Sequence, residues 1–337
     1  MRVLRISWLL GFACIYFSAQ AWAGSPSNSS PSLKTAKAAA IRKLVFPSQF
    51  SLGRLYVYKD KVSPHHYPNG KMVAETLGRF VGEAKGTVQF AVPDQAVVYL
   101  VASYQLTEHP EVLTKLDPNV VDCLSFANTG IMAEVIRAIK PVSHLTGLRY
   151  LDLSVSELTD ESLTPLKALT NLERLNLYMS GINGTFLKEV TSLRKLLSLE
   201  LTSNLLDAKA FVYLSKFQSL ENLQLNRCGV RDGDMQQVSK LANLTSLGLS
   251  QDLMTGKGLA LLKPLKKLRF LSLTNCNLST SDLMALKGTD LSTLNLPANS
   301  YTPAEMSQLQ RAMPHTKLFC RSGQVSDYEK TLYGPLH

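Results

Sequence analysis

Side chains suited to catalysis are sparse in this 337-residue sequence, and the adjacent pair His65 and His66 is the strongest candidate. Two imidazoles in a proline-flanked loop beside Tyr67 could ligate a metal ion or transfer protons. The sequence contains no phosphate-binding glycine loop, Gly-x-Ser-x-Gly elbow, His-Glu-x-x-His helix or Cys-x-x-Cys pair. We therefore predict a non-enzymatic protein without metal or cofactor. An enzyme with its chemistry in residues 45–92 stays open as an alternative.

A repeated leucine pattern must position every other candidate residue. The motif Leu-x-x-Leu-x-Leu begins at Leu148 and recurs at a spacing of 24 residues five times and then 23. Its later copies begin at Leu172, Leu196, Leu220, Leu244, Leu268 and Leu291. Self-similarity at this period predicts a solenoid. The last two leucines of each motif lie two apart, so they share one face of a short strand.

Apolar residues at helical spacing follow each strand, as at Leu163 and Leu166, and predict an element that covers the core from the other side. Strands stack about 4.8 Å apart and helices about 8–10 Å apart, which predicts a curved array with its strands on the concave side.

The residues between the strand leucines point away from the core and form the predicted ligand-binding face. They are mostly small and polar, with a few aromatic anchors. The candidate ligand-binding residues are Tyr150, Asp152, Arg174, Asn176, Tyr178, Glu200, Asn222, Gln224 and Phe270. A nucleic-acid site would need rows of Lys and Arg, and this face has one Arg. We therefore expect a protein ligand held through aromatic and Arg anchors, and no specific nucleic acid.

A second set of residues stands three positions after the last strand leucine and is predicted to form a structural ladder that bonds unpaired backbone groups. The set is Ser156, Ser180, Asn204, Cys228, Asp252, Cys276 and Asn299. Cys228 and Cys276 lie two repeats apart, about 9.5 Å by strand spacing, which is too far for a disulfide or for one tetrahedral metal ion. We expect free, mostly buried thiols at Cys123, Cys228, Cys276 and Cys320.

The repeat resembles the leucine-rich repeat, and its length is similar to that of the short, ribonuclease-inhibitor-like subtype found in many bacteria. The matching positions are Leu172, Leu175, Leu177, Ser180, Ile182, Leu187 and Val190. The resemblance is strong over residues 121–311 and weak over 93–120. It implies an α/β leucine-rich-repeat solenoid, with a curved parallel sheet on the concave side and helices on the convex side. It implies little about the ligand, because one fold hosts many functions.

The ends of the chain differ from the repeats. Residues 1–23 combine basic Arg2 and Arg5, an apolar stretch and Ala21-Trp22-Ala23, which predicts a cleaved signal peptide. Residues 24–44 are predicted to be a disordered linker. Residues 45–92 are predicted to be a small N-terminal cap that contains β-strands, residues 93–311 the repeats, and residues 312–337 a C-terminal cap strand and tail.

The predicted export and the net charge limit the possible locations and functions of the chain. Signal cleavage removes two of the 36 basic residues and none of the 26 acidic ones, which leaves a formal charge of +8. We expect a periplasmic or secreted chain that does not span a membrane after cleavage. The favoured function is a binding module for a protein ligand. The alternative is a structural or adhesion protein associated with a cell-wall polymer, a glycan or another anionic surface.

Overall fold

The computed structural model describes residues 40–58, 78–92, 96–127, 134–298 and 301–320. The predictions for the signal peptide, for His65 and His66, for Asn299 and for the final tail lie outside these residues. No helix in the described ranges is long and apolar enough to cross a membrane.

Strands in the described residues are short, and most of them have three residues. They are β1 Ala40–Val45, β2 Gly53–Tyr58, β3 Arg79–Glu83, β4 Thr87–Val92, β5 Val97–Ala102, β6 Cys123–Ser125, β7 Tyr150–Asp152, β8 Arg174–Asn176, β9 Ser198–Glu200, β10 Asn222–Gln224, β11 Ser246–Gly248, β12 Phe270–Ser272, β13 Thr293–Asn295 and β14 Lys317–Phe319. Strand β14 lies within residues 312–337, for which a C-terminal strand is predicted.

The helical elements between the strands are also short, and some of them are 3₁₀ helices. The α-helices are α1 Tyr104–Glu108, α2 Val135–Val142, α3 Ala208–Leu214, α4 Asp232–Val238, α5 Gly256–Ala260, α6 Thr280–Leu283 and α7 Pro303–Ala312. The 3₁₀ helices are Pro110–Lys115, Glu161–Ala168, Thr185–Lys188 and Met284–Leu286.

One strand is added per repeat, which confirms the predicted α/β leucine-rich-repeat solenoid. In the described part of the chain the larger sheet has twelve strands, in the order β14 to β5 followed by β2 and β3. Strands β5 to β14 run parallel, each beside the next, whereas β2 and β3 pair antiparallel at the N-terminal end. Strands β1 and β4 form a separate antiparallel pair.

The core is a stack of leucines between the sheet and the helical elements. Leu151, Leu175 and Leu199 are direct partners in the strand register, and the series continues through Leu223 and Leu247. All five are buried. Buried leucines of the following elements cover them from the other side, for example Leu163 and Leu166. Sheet and helices thus bury one another, and neither layer could do so alone.

The predicted linker is wrong at its C-terminal end, because residues 40–44 belong to strand β1. Leu44 is buried, and the Arg42 guanidinium donates to the Asp122 carboxylate at 3.2 Å and to the Asn119 carbonyl at 2.7 Å. The same Asp122 oxygen accepts the backbone N–H of Val98. Composition alone suggested disorder, but these long-range contacts fix the strand.

The turn after each of strands β7 to β12 holds a residue in the left-handed backbone region, again every 24 residues. The set is Val155, Met179, Ser203, Arg227, Gln251 and Asn275, with φ between 49° and 62°. No glycine occupies the position, although glycine, Asn and Asp tolerate this conformation best. Val155 is the most strained, since its branched side chain crowds the backbone at φ 55°.

Substituting Val155→Asn should raise the free energy of unfolding by about 1 kcal/mol, because asparagine adopts a left-handed conformation at lower cost. Urea denaturation would measure the change. The mirror substitution Asn275→Val should lower stability by a similar amount. Unchanged stability in both variants would show that these turns carry no backbone strain.

Substituting Leu199→Ala should lower the free energy of unfolding by about 2–5 kcal/mol, because it opens a cavity in the leucine stack. Leu205 is 78 % exposed and serves as the matched control. Leu205→Ala should change stability by about 0.5 kcal/mol or less. Comparable melting temperatures for the two variants would contradict the register.

Candidate ligand-binding face

We call the side of the larger sheet opposite the leucine core the polar face. Its residues flank the central leucine of each strand and form two rows across strands β5 to β14. The first row is Tyr99, Cys123, Tyr150, Arg174, Ser198, Asn222, Ser246, Phe270, Thr293 and Lys317. The second row is Val101, Ser125, Asp152, Asn176, Glu200, Gln224, Gly248, Ser272, Asn295 and Phe319.

The structure brings eight of the nine predicted ligand-binding residues onto this face and places Tyr178 in the turn after β8, but it buries most of them. Asp152 is 2 % exposed and Glu200 is 4 % exposed, whereas Arg174 and Phe270 are partly exposed. Neighbouring strands lie only about 4.8 Å apart, so adjacent side chains cover one another. The face is therefore a tightly packed floor from which only a few side chains reach outward.

Second-row side chains satisfy the backbone at the ends of their own strands. Asp152 Oδ1 accepts the N–H of Ser154 at 2.9 Å, and Asn176 Oδ1 accepts the N–H of Tyr178 at 3.0 Å. Glu200 Oε1 accepts the N–H of the residue two positions later at 2.8 Å. Each oxygen thus pairs a donor that the sheet leaves unbonded. The spacing of these residues in the sequence does not indicate this structural role.

Hydrogen-bonded amide side chains cover the middle of the polar face. Gln224 Nε2 donates to Asn222 Oδ1 at 2.8 Å, and Asn226 Oδ1 accepts the N–H of Ser250 at 2.9 Å. The side chains of Gln224 and Asn226 fill the space above Gly248, where a Cβ would collide with both. A Cβ at this position would require the ends of both amide side chains to shift.

An aromatic cluster occupies the N-terminal end of the face, and sequence analysis did not predict it. Tyr99 lies 6.0 Å from Tyr58 and 6.0 Å from Tyr150 between ring centroids, and Tyr56 joins the same buried group beside Cys123. Strand β2 contributes two of these tyrosines because it adds antiparallel to β5. Alternation of buried Leu55 and Val57 with the tyrosines of β2 was the available signal.

Burial shapes the electrostatics of this region. It raises the pKa of the Glu200 carboxyl to about 7, and the nearby Asp152 adds to the rise, although a hydrogen bond from Thr202 opposes it. Burial also raises the pKa of the Tyr99 and Tyr150 hydroxyls, again with a contribution from Asp152. Glu200 therefore changes its charge near neutral pH.

Ser180, Asn204, Cys228 and Cys276 of the predicted ladder bond backbone groups across repeats. Ser180 Oγ donates to the Leu153 carbonyl at 2.9 Å, and Asn204 Nδ2 donates to the Leu177 carbonyl at 2.7 Å. The thiols of Cys228 and Cys276 likewise donate to the carbonyls of Leu201 and Leu249 in the preceding repeat, at 3.1 and 3.0 Å. Ser156 Oγ makes a longer contact, 3.4 Å, to the carbonyl two residues before it.

Cys123, Cys228, Cys276 and Cys320 are free thiols. Among the described residues, no group of three or more His, Cys, Asp or Glu side chains is arranged to hold a metal ion.

The chain matches no family model and no curated protein. Its fold is similar to solved structures at low identity. An internalin (inlF) from Listeria monocytogenes shares 21 % identity with a TM-score of 0.47, and the match covers 64 % of each chain. An internalin C2 from the same organism shares 19 % identity over 57 % of this chain and 92 % of its own, with a TM-score of 0.45. The plant peptide hormone receptor RGFR1, in complex with RGF2, shares 20 % identity over 54 % of this chain and 29 % of its own, with a TM-score of 0.37.

Substituting Tyr99→Ala should lower the free energy of unfolding by about 3–5 kcal/mol, because Tyr99 is 1 % exposed in the aromatic cluster. Tyr99→Phe keeps the ring and should cost about 1.5 kcal/mol or less. The exposed Tyr104 provides a control, and Tyr104→Ala should have a small effect. Equal losses for Tyr99→Ala and Tyr104→Ala, by urea denaturation, would show that the cluster is not a structural core.

Proposed function

We propose that this chain is an exported, non-enzymatic binding module of the short, ribonuclease-inhibitor-like type of leucine-rich repeat. It holds a protein ligand on the polar face. The 24-residue spacing of the repeats supports the subtype, and the signal-like residues 1–23 support export.

The continuity of the polar face carries this proposal. Its two rows cross ten parallel strands, and the charged residues among them are few: Asp152, Arg174, Glu200 and Lys317. A surface for a polyanion would need many basic contacts. A polar floor with separated aromatic and Arg anchors suits a protein ligand better.

Exposure indicates where the ligand gains most of its binding energy. Arg174 and Phe270 are the partly exposed anchors of the first row, and four strand intervals, about 19 Å, separate them. An extended segment of about six residues spans that distance. Asn222 and Gln224, which lie between these anchors, are buried, and so are Tyr150 on β7 and Tyr178 after β8, so these four side chains add to the shape of the surface more than to the binding energy.

The predicted anchors Asp152, Asn176 and Glu200 take a different role in this proposal. Their oxygens already bond the backbone, and their side chains are buried. They hold the floor in shape beneath the ligand, and Arg174 and Phe270 make the main contacts.

A charge-driven association with a wall polymer or another anionic surface is the second candidate. The lysines of the helical side are all exposed and are spread over many repeats. They are Lys167, Lys188, Lys209, Lys216, Lys240, Lys257 and Lys263. Such binding would weaken steeply with salt, because exposed charges are screened beyond about 10 Å at 0.1 M ionic strength.

Affinity capture from the native extracellular or envelope fraction would test the proposal. The bait would be residues 24–337, beside a face variant, Arg174→Glu with Phe270→Ala. A matched control, Lys209→Glu with Tyr104→Ala, makes the same change in charge away from the polar face. We expect one protein to be retained by the wild type and the control, and at least tenfold less by the face variant.

Three results would argue against the polar face as a protein site. Equal retention by all three baits, with release by salt, would favour the wall-binding candidate. Loss in both variants would point to the helical side. Retention of no protein by the wild type would contradict a protein ligand in that fraction. Thermal melts would establish that all three baits are folded.

A further inference from the structure

Asn204 shows what the ladder position requires of a side chain. Its Oδ1 accepts the backbone N–H of Ser180 at 3.0 Å. Its Nδ2 donates to the carbonyls of Leu177 at 2.7 Å and Leu201 at 2.8 Å. One end of the amide therefore works as an acceptor, and the other end works as a donor to carbonyl oxygens.

Asp252 occupies the same position two repeats later. Its Oδ1 accepts the N–H groups of Cys228 and Val230 in the preceding repeat, both at 3.0 Å. Asn204 Oδ1 accepts the equivalent N–H groups of Ser180 and Ile182 at 3.0 and 3.4 Å. Its Oδ2 stands where the amide nitrogen would be. This oxygen is buried and has no hydrogen-bond partner among the described residues.

The equivalent side chains of neighbouring repeats indicate which backbone carbonyl lies beside Asp252 Oδ2. Ser180, Cys228 and Cys276 each donate a hydrogen to the carbonyl of the last strand leucine in the preceding repeat. By the same register, the carbonyl that corresponds to Asp252 belongs to Leu225. An ionised carboxylate has no hydrogen to give, so two oxygens would repel each other there.

We propose that Asp252 is held as a neutral carboxylic acid whose hydroxyl donates to the Leu225 carbonyl, which makes this turn a pH-sensitive joint of the solenoid. Loss of the proton places a buried negative charge against a carbonyl oxygen and breaks the ladder between the turns that follow β10 and β11. Strand β11 pairs with β12, which carries Phe270, so opening of the joint loosens this part of the polar face.

The surroundings of Asp252 agree with a retained proton. Burial raises the pKa of this carboxyl to about 8, despite hydrogen bonds from the backbone of Cys228, Gly229 and Val230. Asp234 of α4 faces it and disfavours a second negative charge. The other titratable groups that face it are the Cys228 and Cys276 thiols of the flanking turns.

The direction of the pH effect follows from linkage. The folded chain binds this proton more tightly than the unfolded chain, whose carboxyl has the ordinary value of 3.8. The stability that Asp252 contributes is therefore full below about pH 4 and declines as pH rises towards about 8. Above that range, the contribution is lost.

Three proteins test the joint: the wild type, Asp252→Asn and Asn204→Asp. Urea denaturation at pH 5 and pH 8.5 would give the unfolding equilibrium constants. Asparagine can bond both sides of the position at any pH. The constant for the wild type, relative to Asp252→Asn, should therefore rise at least tenfold between the two pH values. Asn204→Asp places an acid in the matching turn and should add a second rise of the same sign.

Parallel pH profiles for the wild type and Asp252→Asn would overturn the proposal, since Asp252 would then be ionised throughout. Absence of any added pH dependence in Asn204→Asp would overturn the equivalence of the two turns. If a variant fails to fold, a ¹³C chemical-shift titration of the Asp252 carboxyl in the wild type decides the matter. A midpoint above pH 6 supports the neutral acid, and a midpoint near 4 excludes it.

Discussion

Parallel pairing of one short strand with the next is the constraint on which the rest of the structure depends. A three-residue strand and a short helix cannot bury their leucines alone, so each repeat is stable only between two others. The register that aligns Leu151, Leu175 and Leu199 also aligns every other position of the repeat. Core, polar face, turns and ladder are therefore four consequences of a single spacing.

The same spacing explains why the polar face serves the fold as well as a ligand. Side chains stacked at strand distance shield one another from water, and the shielded ones must find partners. Asp152, Asn176 and Glu200 find them in their own backbone. The buried side chains therefore form a rigid surface beneath a ligand. The side chains that project above this surface provide most of the binding energy.

Burial in such an array raises the pKa of acidic side chains. Glu200 and Asp252 belong to different columns of the repeat, yet burial raises the pKa of both carboxyls towards neutrality. In each column, neighbouring repeats place an uncharged side chain at the equivalent position, Asn176 and Gln224 beside Glu200 and Cys228 and Cys276 beside Asp252. Burial of a carboxyl in such a stack disfavours its charged form.

The sequence by itself determined the fold class, the register of the leucines, the residues that share the polar face and the ladder position, because a strict period is written into local spacing. Only the tertiary structure decided which of those residues are buried. It also decided that β1 belongs to the fold through Arg42, and that β2 extends the sheet with Tyr56 and Tyr58. These outcomes depend on contacts between segments far apart in the chain and on the close stacking of neighbouring repeats. The alternation in β2 indicates a strand, but no local pattern specifies the segments that it contacts.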